Sequence, residues 1–210
     1  MRFTPQSGAP EVALTLDACM GATDLRILNV LVDNAIPATI FATGVWLKRN
    51  PAAIKVLAAN RDLFAVENHG ARHLAAVIGT ERPYGIEPVG TADGLFAEVM
   101  GGKQAVTDAF GIAPKWYRDA TALYSPSAVG PIASMGFGIA GFSLNGDIGA
   151  SVSAKVARSR IAAARSGDVI LSHINQPTRP AGAGVAAGIL DLRARGFKFM
   201  HLNERPIAAA

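Results

Sequence analysis

The chain has 210 residues, of which 50% are hydrophobic and only 17% are charged. That composition excludes a disordered protein and predicts one domain, residues 1–210, with a substantial core. The net charge of +4 favours anionic surroundings. The basic residues are scattered, however, and form no run interleaved with aromatic residues, so nucleic acid is not an expected partner. No apolar run is long enough to span a bilayer.

The first residues carry no basic region followed by a long apolar block, so no signal peptide is visible. We therefore expect a periplasmic or secreted protein if an export signal has been removed, and a cytoplasmic one otherwise. Cys19 is the only cysteine, which excludes an internal disulfide and leaves the redox compartment open. Nothing in the sequence indicates an oligomeric state.

Short apolar segments alternate with helical segments along the chain, as is typical of parallel β/α units. The predicted strands cover 11–16, 38–43, 63–67, 115–118, 137–142, 168–172 and 197–202. The predicted helices cover 25–34, 44–59 with a break at Asn50-Pro51, 91–110, 126–135, 151–164 and 182–195. The segment 75–90 carries two prolines, Pro83 and Pro88, and is predicted to be an irregular loop, which is often functional at this length.

Polar residues fall at or just after the C-terminal ends of different predicted strands. They are Asp17, Glu67 to His69, Arg118 and His173. In a β/α barrel these ends meet at one face, whereas an open sheet would spread them along an edge. We therefore predict an α/β fold with a closed or nearly closed barrel of seven strands. Nucleotide binding is disfavoured, because no GxGxxG follows the first strand and no phosphate-loop lysine is present.

The segment NHGARHL places His69 and His73 four residues apart. On a helical turn this spacing points both imidazoles from one face, where they can bind one divalent metal ion such as zinc. The alternative is a pair of solvated or capping histidines at the start of a helix. The chain has only four histidines, so two on one turn favour the metal site.

Five short motifs follow one another along the chain: TLDA (15–18), NHGARH (68–73), WYR (116–118), LNGD (144–147) and LSH (171–173). Together they resemble the motifs of the polysaccharide deacetylases with a NodB-type domain, carbohydrate esterase family 4. The resemblance extends over nearly the whole chain and implies a distorted barrel of about seven strands. It also implies a metal-dependent hydrolase that removes N-acetyl or O-acetyl groups from an amino sugar or polysaccharide. The metal would be zinc, with cobalt, manganese or nickel as alternatives.

The resemblance implies a role for each matching residue. Asp17 would be the general base, ion-paired with Arg118, and His69 and His73 would hold the metal. His173 would be the general acid, tuned by the carboxylate of Asp147. Two further contacts concern the substrate. Leu171 would line the pocket for the acetyl methyl group, and Trp116 or Tyr124 could stack on a sugar ring.

The first motif of the family is T-F-D-D, whose second Asp is a metal ligand, and that position is Ala18 here. Asp24 could supply the third ligand instead, although it could equally cap the following helix, a role worth about 1 kcal/mol. Otherwise Asp17 could turn to the metal and leave proton abstraction to Glu67, or the metal could be absent. Of these we predict Asp24. Cys19 is close by, but a lone cysteine is usually a small buried hydrophobe, so we do not expect a ligand there.

Loss of the family's carboxylate also leaves two alternative functions open. One is a related hydrolase of a small amide or cyclic imide, which could act without metal. The other is a carbohydrate-binding homologue that kept the fold and lost catalysis. A substrate panel separates the first from a deacetylase, and glycan binding without turnover would identify the second.

Overall fold

The computed structural model of the chain describes residues 1–204 and 206–207. The strands are β1 (Glu11–Ala18), β2 (Ala38–Ala42), β3 (Phe64–Asn68), β4 (Trp116–Tyr117), β5 (Gly138–Ile139), β6 (Leu144–Asn145), β7 (Asp168–His173) and β8 (Lys198–Met200). The helices are α1 (Leu25–Asp33), α2 (Gly44–Arg49), α3 (Pro51–Ala59), α4 (Ala92–Phe110), α5 (Pro126–Ser134), α6 (Ala154–Ala162) and α7 (Ala181–Ala194). Within these described ranges, no helix is both long and apolar enough to cross a membrane.

Strand β1 is at the centre of the sheet. The strand order is β5-β4-β3-β2-β1-β7-β6, and β8 pairs with the N-terminal part of β1. All of these ladders are parallel. The order ends at β5 and β6, and Arg118 donates hydrogen bonds to the carbonyls of Ala140 (3.4 Å) and Gly141 (3.0 Å) in the segment between them. The predicted α/β barrel class is confirmed, as a curled and incompletely closed sheet.

Alternate side chains of β1 face two different cores, because successive residues of a strand point to opposite faces. The even-numbered residues 12–18 pack against the helices in the largest apolar cluster. On the inner face, Ala13 packs with Phe41 of β2 in a smaller cluster enclosed by the sheet. Both faces are buried, which explains why the strand is an almost continuous apolar run. Asp17 is the last inward-facing residue of β1 and therefore lies at the C-terminal mouth of the barrel.

The predicted helices are present, and the break at Asn50-Pro51 separates α2 from α3. Helix α4 runs unbroken through Gly101 and Gly102. The segment 75–90 is irregular, as predicted, and contains a single 3-10 turn, Pro83–Gly85. The structure adds an eighth strand, β6, which was not predicted, and it shortens the predicted strands 115–118 and 137–142 to two residues each.

Candidate active site

Asp17 and Arg118 form a buried ion pair at the C-terminal end of the sheet. Nη1 of Arg118 donates to Oδ1 of Asp17 and to Oγ1 of Thr15, each at 2.9 Å. The guanidinium lies over the ring of Phe41, 4.2 Å from its centroid. Burial would raise the pKa of Asp17, but the charges of Arg118 and the neighbouring histidines hold it below its usual value. Asp17 is therefore ionised at neutral pH.

His173 and Asp147 form a second acid–base pair beside the first. Asp17 and His173 are register partners on β1 and β7, so their side chains lie on the same inner face. Asp147 accepts the backbone N–H of His173 at 2.7 Å and its Nδ1–H at 2.9 Å. Burial would lower the pKa of His173, but the hydrogen bond with Asp147 and the contact with Cys19 raise it well above its usual value. The imidazole can thus carry a proton at neutral pH.

The loop 68–74 follows β3 and carries both predicted metal ligands, but it is not the predicted helical turn. Gly70 and His73 have φ angles of +88° and +70°, which a right-handed helix does not allow. The loop nevertheless brings the imidazoles of His69 and His73 together, with ring centroids 5.1 Å apart. Nδ1 of His69 donates to the carbonyl of Arg118 at 2.7 Å, which leaves Nε2 as the ligand nitrogen.

A buried carboxylate on α4 holds this loop in place. Glu98 is fully buried. Its Oε1 accepts the backbone N–H groups of Arg72 (3.0 Å) and Leu74 (3.1 Å), the two residues that flank His73. The position of the second imidazole therefore depends on a residue 25 places further along the chain.

Asn68 connects the start of the loop to the same helix. Its Oδ1 accepts the backbone N–H of Gly70 at 2.8 Å, and its Nδ2 donates to the carbonyl of Val99 at 2.8 Å. Helix α4 approaches very closely here, because a Cβ added to Gly102 would lie only 2.1 Å from Oδ1 of Asn68. Glycine is required at position 102 for this contact.

Cys19 is buried, as expected of a lone cysteine, but it lies against histidines. Its Sγ is 3.5 Å from Nε2 of His69, and one ligand atom from each of Cys19, His69 and His73 lies within 4.8 Å of the others. Nε2 of His73 is buried without a hydrogen-bond partner among the described residues. Burial would raise the pKa of the thiol, but His173, His69 and His73 hold it well below its usual range. Sulfur and imidazole nitrogen are the ligands that zinc prefers, so this donor set fits a divalent metal ion.

The charge of this cluster affects His69 as well. Burial would lower the pKa of His69, but Asp17 and Cys19 raise it to about 9. A metal ion bound at Nε2 would therefore displace a proton, and metal affinity would fall as the pH is lowered.

The carboxylates of Asp24, the predicted third metal ligand, and Glu67, the alternative base, both make hydrogen bonds outside the metal-ligand group. Asp24 is the N-cap of α1, and its Oδ1 accepts from the backbone N–H (3.1 Å) and Nε (2.8 Å) of Arg26. It is not in the metal-ligand group of the described residues, so the expectation that it supplies the third ligand is corrected, and the helix-capping alternative describes it. Oε2 of Glu67 accepts the backbone N–H groups of Lys115 (2.7 Å) and Trp116 (2.8 Å). Glu67 is therefore committed to strand β4 and is not free to act as the base.

A cavity of about 550 Å³ opens over these groups. Its wall includes Asp17, Cys19, His73 and His173, and also Leu171, as predicted for a residue on the same strand face as His173. The volume is in the range of small-molecule sites. The acid–base pairs and the metal-ligand group thus open onto one space.

A model of the polysaccharide deacetylase family matches residues 4–140, which is more than half of the chain. The chain belongs to the polysaccharide deacetylase family. The expected resemblance is thereby confirmed, and no curated protein sequence matches the chain.

Solved structures of carbohydrate esterase family 4 share the fold of this deacetylase-family chain. A family pseudoenzyme from Bacillus anthracis is 18% identical with a TM-score of 0.73, and the match covers 95% of this chain and 66% of that one. A family 4 carbohydrate esterase from Streptomyces lividans, in complex with acetate, is 20% identical with a TM-score of 0.72 and coverage of 96% and 98%. A family 4 acetyl xylan esterase from Clostridium thermocellum, in complex with a cobalt ion, is 21% identical with a TM-score of 0.72 and coverage of 92% and 88%.

The aromatic residues predicted to contact sugar do not line the cavity of this family member. The indole N–H of Trp116 donates to Asn203, and the ring packs on the cluster enclosed by the sheet. Tyr124 packs in the cluster beside α4 and α5, and its hydroxyl binds the backbone near β4. Tyr84 lines the cavity instead, with 80% of its surface exposed. Tyr84 belongs to the irregular segment 75–90, whose length was the feature of the sequence that indicated a functional loop.

Sequence reasoning also missed the role of Glu98. The buried positions of α4 include Leu95, Glu98, Val99 and Gly102, so the carboxylate lies on the apolar face of the helix. A charged residue on such a face is almost never fully buried without a partner. That pattern was the signal that Glu98 binds something specific.

Proposed function

We propose that this chain is a hydrolase that removes N-acetyl or O-acetyl groups from an amino sugar or an acetylated glycan. The observation that carries the proposal is the convergence of two acid–base pairs, Asp17–Arg118 and His173–Asp147, on one cavity beside the His69 loop. On an N-acetyl substrate the reaction would cleave a carbon–nitrogen bond other than a peptide bond. Membership of the polysaccharide deacetylase family supports this class of reaction.

Asp17 is the general base in this proposal. Arg118 occupies Oδ1 and keeps the carboxylate ionised, and Oδ2 lies 3.9 Å from Nε2 of His69 at the edge of the cavity. Oδ2 can accept a proton from a water molecule while that water attacks the acetyl carbonyl carbon. Arg118 does not touch the substrate and acts by orienting Asp17.

His69 and His73 would hold the metal ion, with zinc as the first candidate and cobalt, manganese or nickel as alternatives. When bound there, a divalent ion would supply polarisation of the acetyl carbonyl and a lower pKa of the attacking water. The carbonyl of Arg118 orients the His69 ring for this purpose, since it fixes the proton on Nδ1.

His173 is the general acid. Asp147 holds the proton on Nδ1 and stabilises the imidazolium, so the Nε2 proton can pass to the leaving amine nitrogen or alcohol oxygen as the acyl bond breaks. Asp17 and His173 are register partners on β1 and β7, which supports a base and an acid that act on one substrate. Leu171 offers an apolar surface to the acetyl methyl group, and the exposed ring of Tyr84 can stack on a sugar.

Acetate release tests the proposal. N-acetylglucosamine oligomers and acetylated xylan should release acetate, the release should stop on chelation, and Zn²⁺ or Co²⁺ should restore it. Asp17→Asn should lower kcat by about 10²- to 10⁴-fold while the metal content is unchanged. Full activity after every metal has been removed would refute the metal role, and full activity of the Asp17 variant would refute the base.

The likeness to a family pseudoenzyme favours a second candidate, a carbohydrate-binding homologue without turnover. A mutant of that pseudoenzyme has restored enzymatic activity. For this chain the second candidate predicts saturable binding of N-acetylglucosamine oligomers with no acetate released under any metal. A hydrolase of small amides or cyclic imides would instead turn over those compounds and leave the oligomers intact.

A further inference from the structure

We propose that Cys19 is the third metal ligand, a thiolate that takes the place of the family's carboxylate at the position of Ala18. The proposal rests on the metal site of the proposed function and is independent of the reaction catalysed there. It converts a site of two imidazoles, which hold zinc poorly, into a three-ligand set of two nitrogens and one sulfur.

The distances agree with this ligand set. Zinc–sulfur bonds are about 2.3 Å and zinc–nitrogen bonds about 2.0–2.1 Å, and at tetrahedral angles these lengths separate sulfur from nitrogen by about 3.6 Å. Sγ of Cys19 and Nε2 of His69 are 3.5 Å apart. His73 is the third residue of the group, and its Nε2 is buried without a hydrogen-bond partner among the described residues, as expected of a side chain that awaits a ligand. One ring nitrogen of His73 lies within 4.8 Å of the Cys19 sulfur and of a His69 nitrogen, so all three side chains can reach one ion.

The path of the chain explains why the ligand is at position 19. Ala18 is still within β1, pairs with Ala42, and is buried in the cluster that faces the helices. Its side chain therefore points away from the cavity. Cys19 is the first residue after the strand, lines the cavity, and is anchored by the Thr43 hydroxyl, which donates to its backbone carbonyl.

A thiolate ligand also predicts which metals the site selects. Thiolate is a soft ligand that favours zinc, whereas carboxylate and water suit manganese and magnesium. We therefore expect Zn²⁺ and Co²⁺ to bind this protein far more tightly than Mn²⁺. Cys19→Asp, which supplies a carboxylate, should narrow that difference.

X-ray absorption and optical spectroscopy of the full chain test the ligand directly. The Zn²⁺-loaded protein should show one sulfur neighbour at about 2.3 Å. The Co²⁺-loaded protein should show a near-ultraviolet sulfur-to-cobalt charge-transfer band. Both signals should be absent from Cys19→Ser, and its Zn²⁺ affinity should fall by about a hundredfold or more, since even partners outside the ligand shell are worth about 10- to 100-fold.

Alkylation provides a second measurement that needs no variant of Cys19. The chain has one cysteine, so uptake of iodoacetamide reports on Cys19 alone. Zn²⁺ should protect the thiol in the native chain. It should fail to protect the thiol in His73→Ala, which removes a ligand and keeps the cysteine.

The outcomes separate this proposal from the proposed function. A bound metal with only nitrogen and oxygen neighbours, together with an unprotected thiol, would overturn the role of Cys19 and leave the deacetylase standing. A sulfur-bound metal without acetate release would support Cys19 and refute the reaction. Failure of the native chain to bind Zn²⁺ at all would overturn the proposal together with the metal part of the proposed function.

Discussion

The two halves of the site are held in place by different means. The acid–base half is carried by strands: Asp17 and His173 are register partners, and Arg118 directly follows β4. The histidine half is carried by the irregular loop 68–74, whose shape depends on polar contacts with α4, above all those of Glu98. A strand end is positioned by the whole sheet, whereas this loop is positioned by a few side chains. Substitutions that disturb the acid–base half should therefore lower the stability of the protein. Substitutions that disturb the histidine half should lower its affinity for metal.

The largest effect is expected from Arg118→Met, in the acid–base half of the site. The substitution leaves the Asp17 carboxylate buried without its partner, which should lower the free energy of unfolding by about 3–5 kcal/mol. Urea denaturation measures the change. Arg158→Met is the matched control, because it breaks a surface ion pair with Asp191 and should leave stability nearly unchanged. Equal losses in the two variants would contradict the assignment of a buried ion pair.

Asp147→Asn should change the pH dependence in the same half. Removing the carboxylate removes the largest of the contacts that raise the pKa of His173, so that pKa should fall, although the contact with Cys19 remains. The acid must be protonated, so activity is lost as the pH rises through that pKa, and the alkaline limb of kcat should move to lower pH. The acidic limb follows the lowered pKa of Asp17 and should stay in place.

In Asp147→Asn, kcat should fall by no more than about 10²- to 10⁴-fold, which is the contribution of a general acid. Asp191→Asn serves as the control, since Asp191 pairs with Arg158 away from the cavity. An alkaline limb that does not move in Asp147→Asn would show that His173 is not the acid.

Glu98→Gln tests how the histidine half of the site is held in place. The neutral amide should hold the backbone N–H groups around His73 less firmly, and Zn²⁺ affinity should fall by about 10- to 100-fold, as for other partners outside a ligand shell. Competition with a chromophoric chelator measures the affinity. Glu81→Gln removes an exposed carboxylate from the 75–90 segment and should not change it. A large loss of stability with unchanged metal affinity would mean that Glu98 serves the core alone.

The smallest effect is expected at the rim of the cavity, outside both halves. Tyr84→Ala removes an exposed ring that lines the cavity and should raise KM for N-acetylglucosamine oligomers by about two- to tenfold, the worth of one aromatic contact. The value of kcat and the metal content should not change. Trp116→Phe is the comparison, since the indole binds Asn203 rather than the cavity and should leave KM unaltered. A higher KM in Trp116→Phe, together with an unchanged KM in Tyr84→Ala, would instead support the sugar contact that the sequence predicted for Trp116.

The sequence by itself determined the fold class and the acid–base half of the site. Buried parallel strands leave a clear apolar pattern, and their C-terminal ends must meet at one face. The polar residues at those ends, Asp17, Arg118 and His173, were therefore predictable as neighbours. The alternation of side chains along β7 placed Leu171 beside His173 by the same reasoning.

Only the tertiary structure decided the histidine half. The spacing of His69 and His73 indicated a helix, but the loop reaches the same pairing through left-handed backbone. Distance along the chain does not reveal where a side chain points, so Asp24 turned out to be a helix cap while Cys19 faces both imidazoles. A loop is shaped by contacts with residues far away in sequence, and such contacts exist only after the chain has folded.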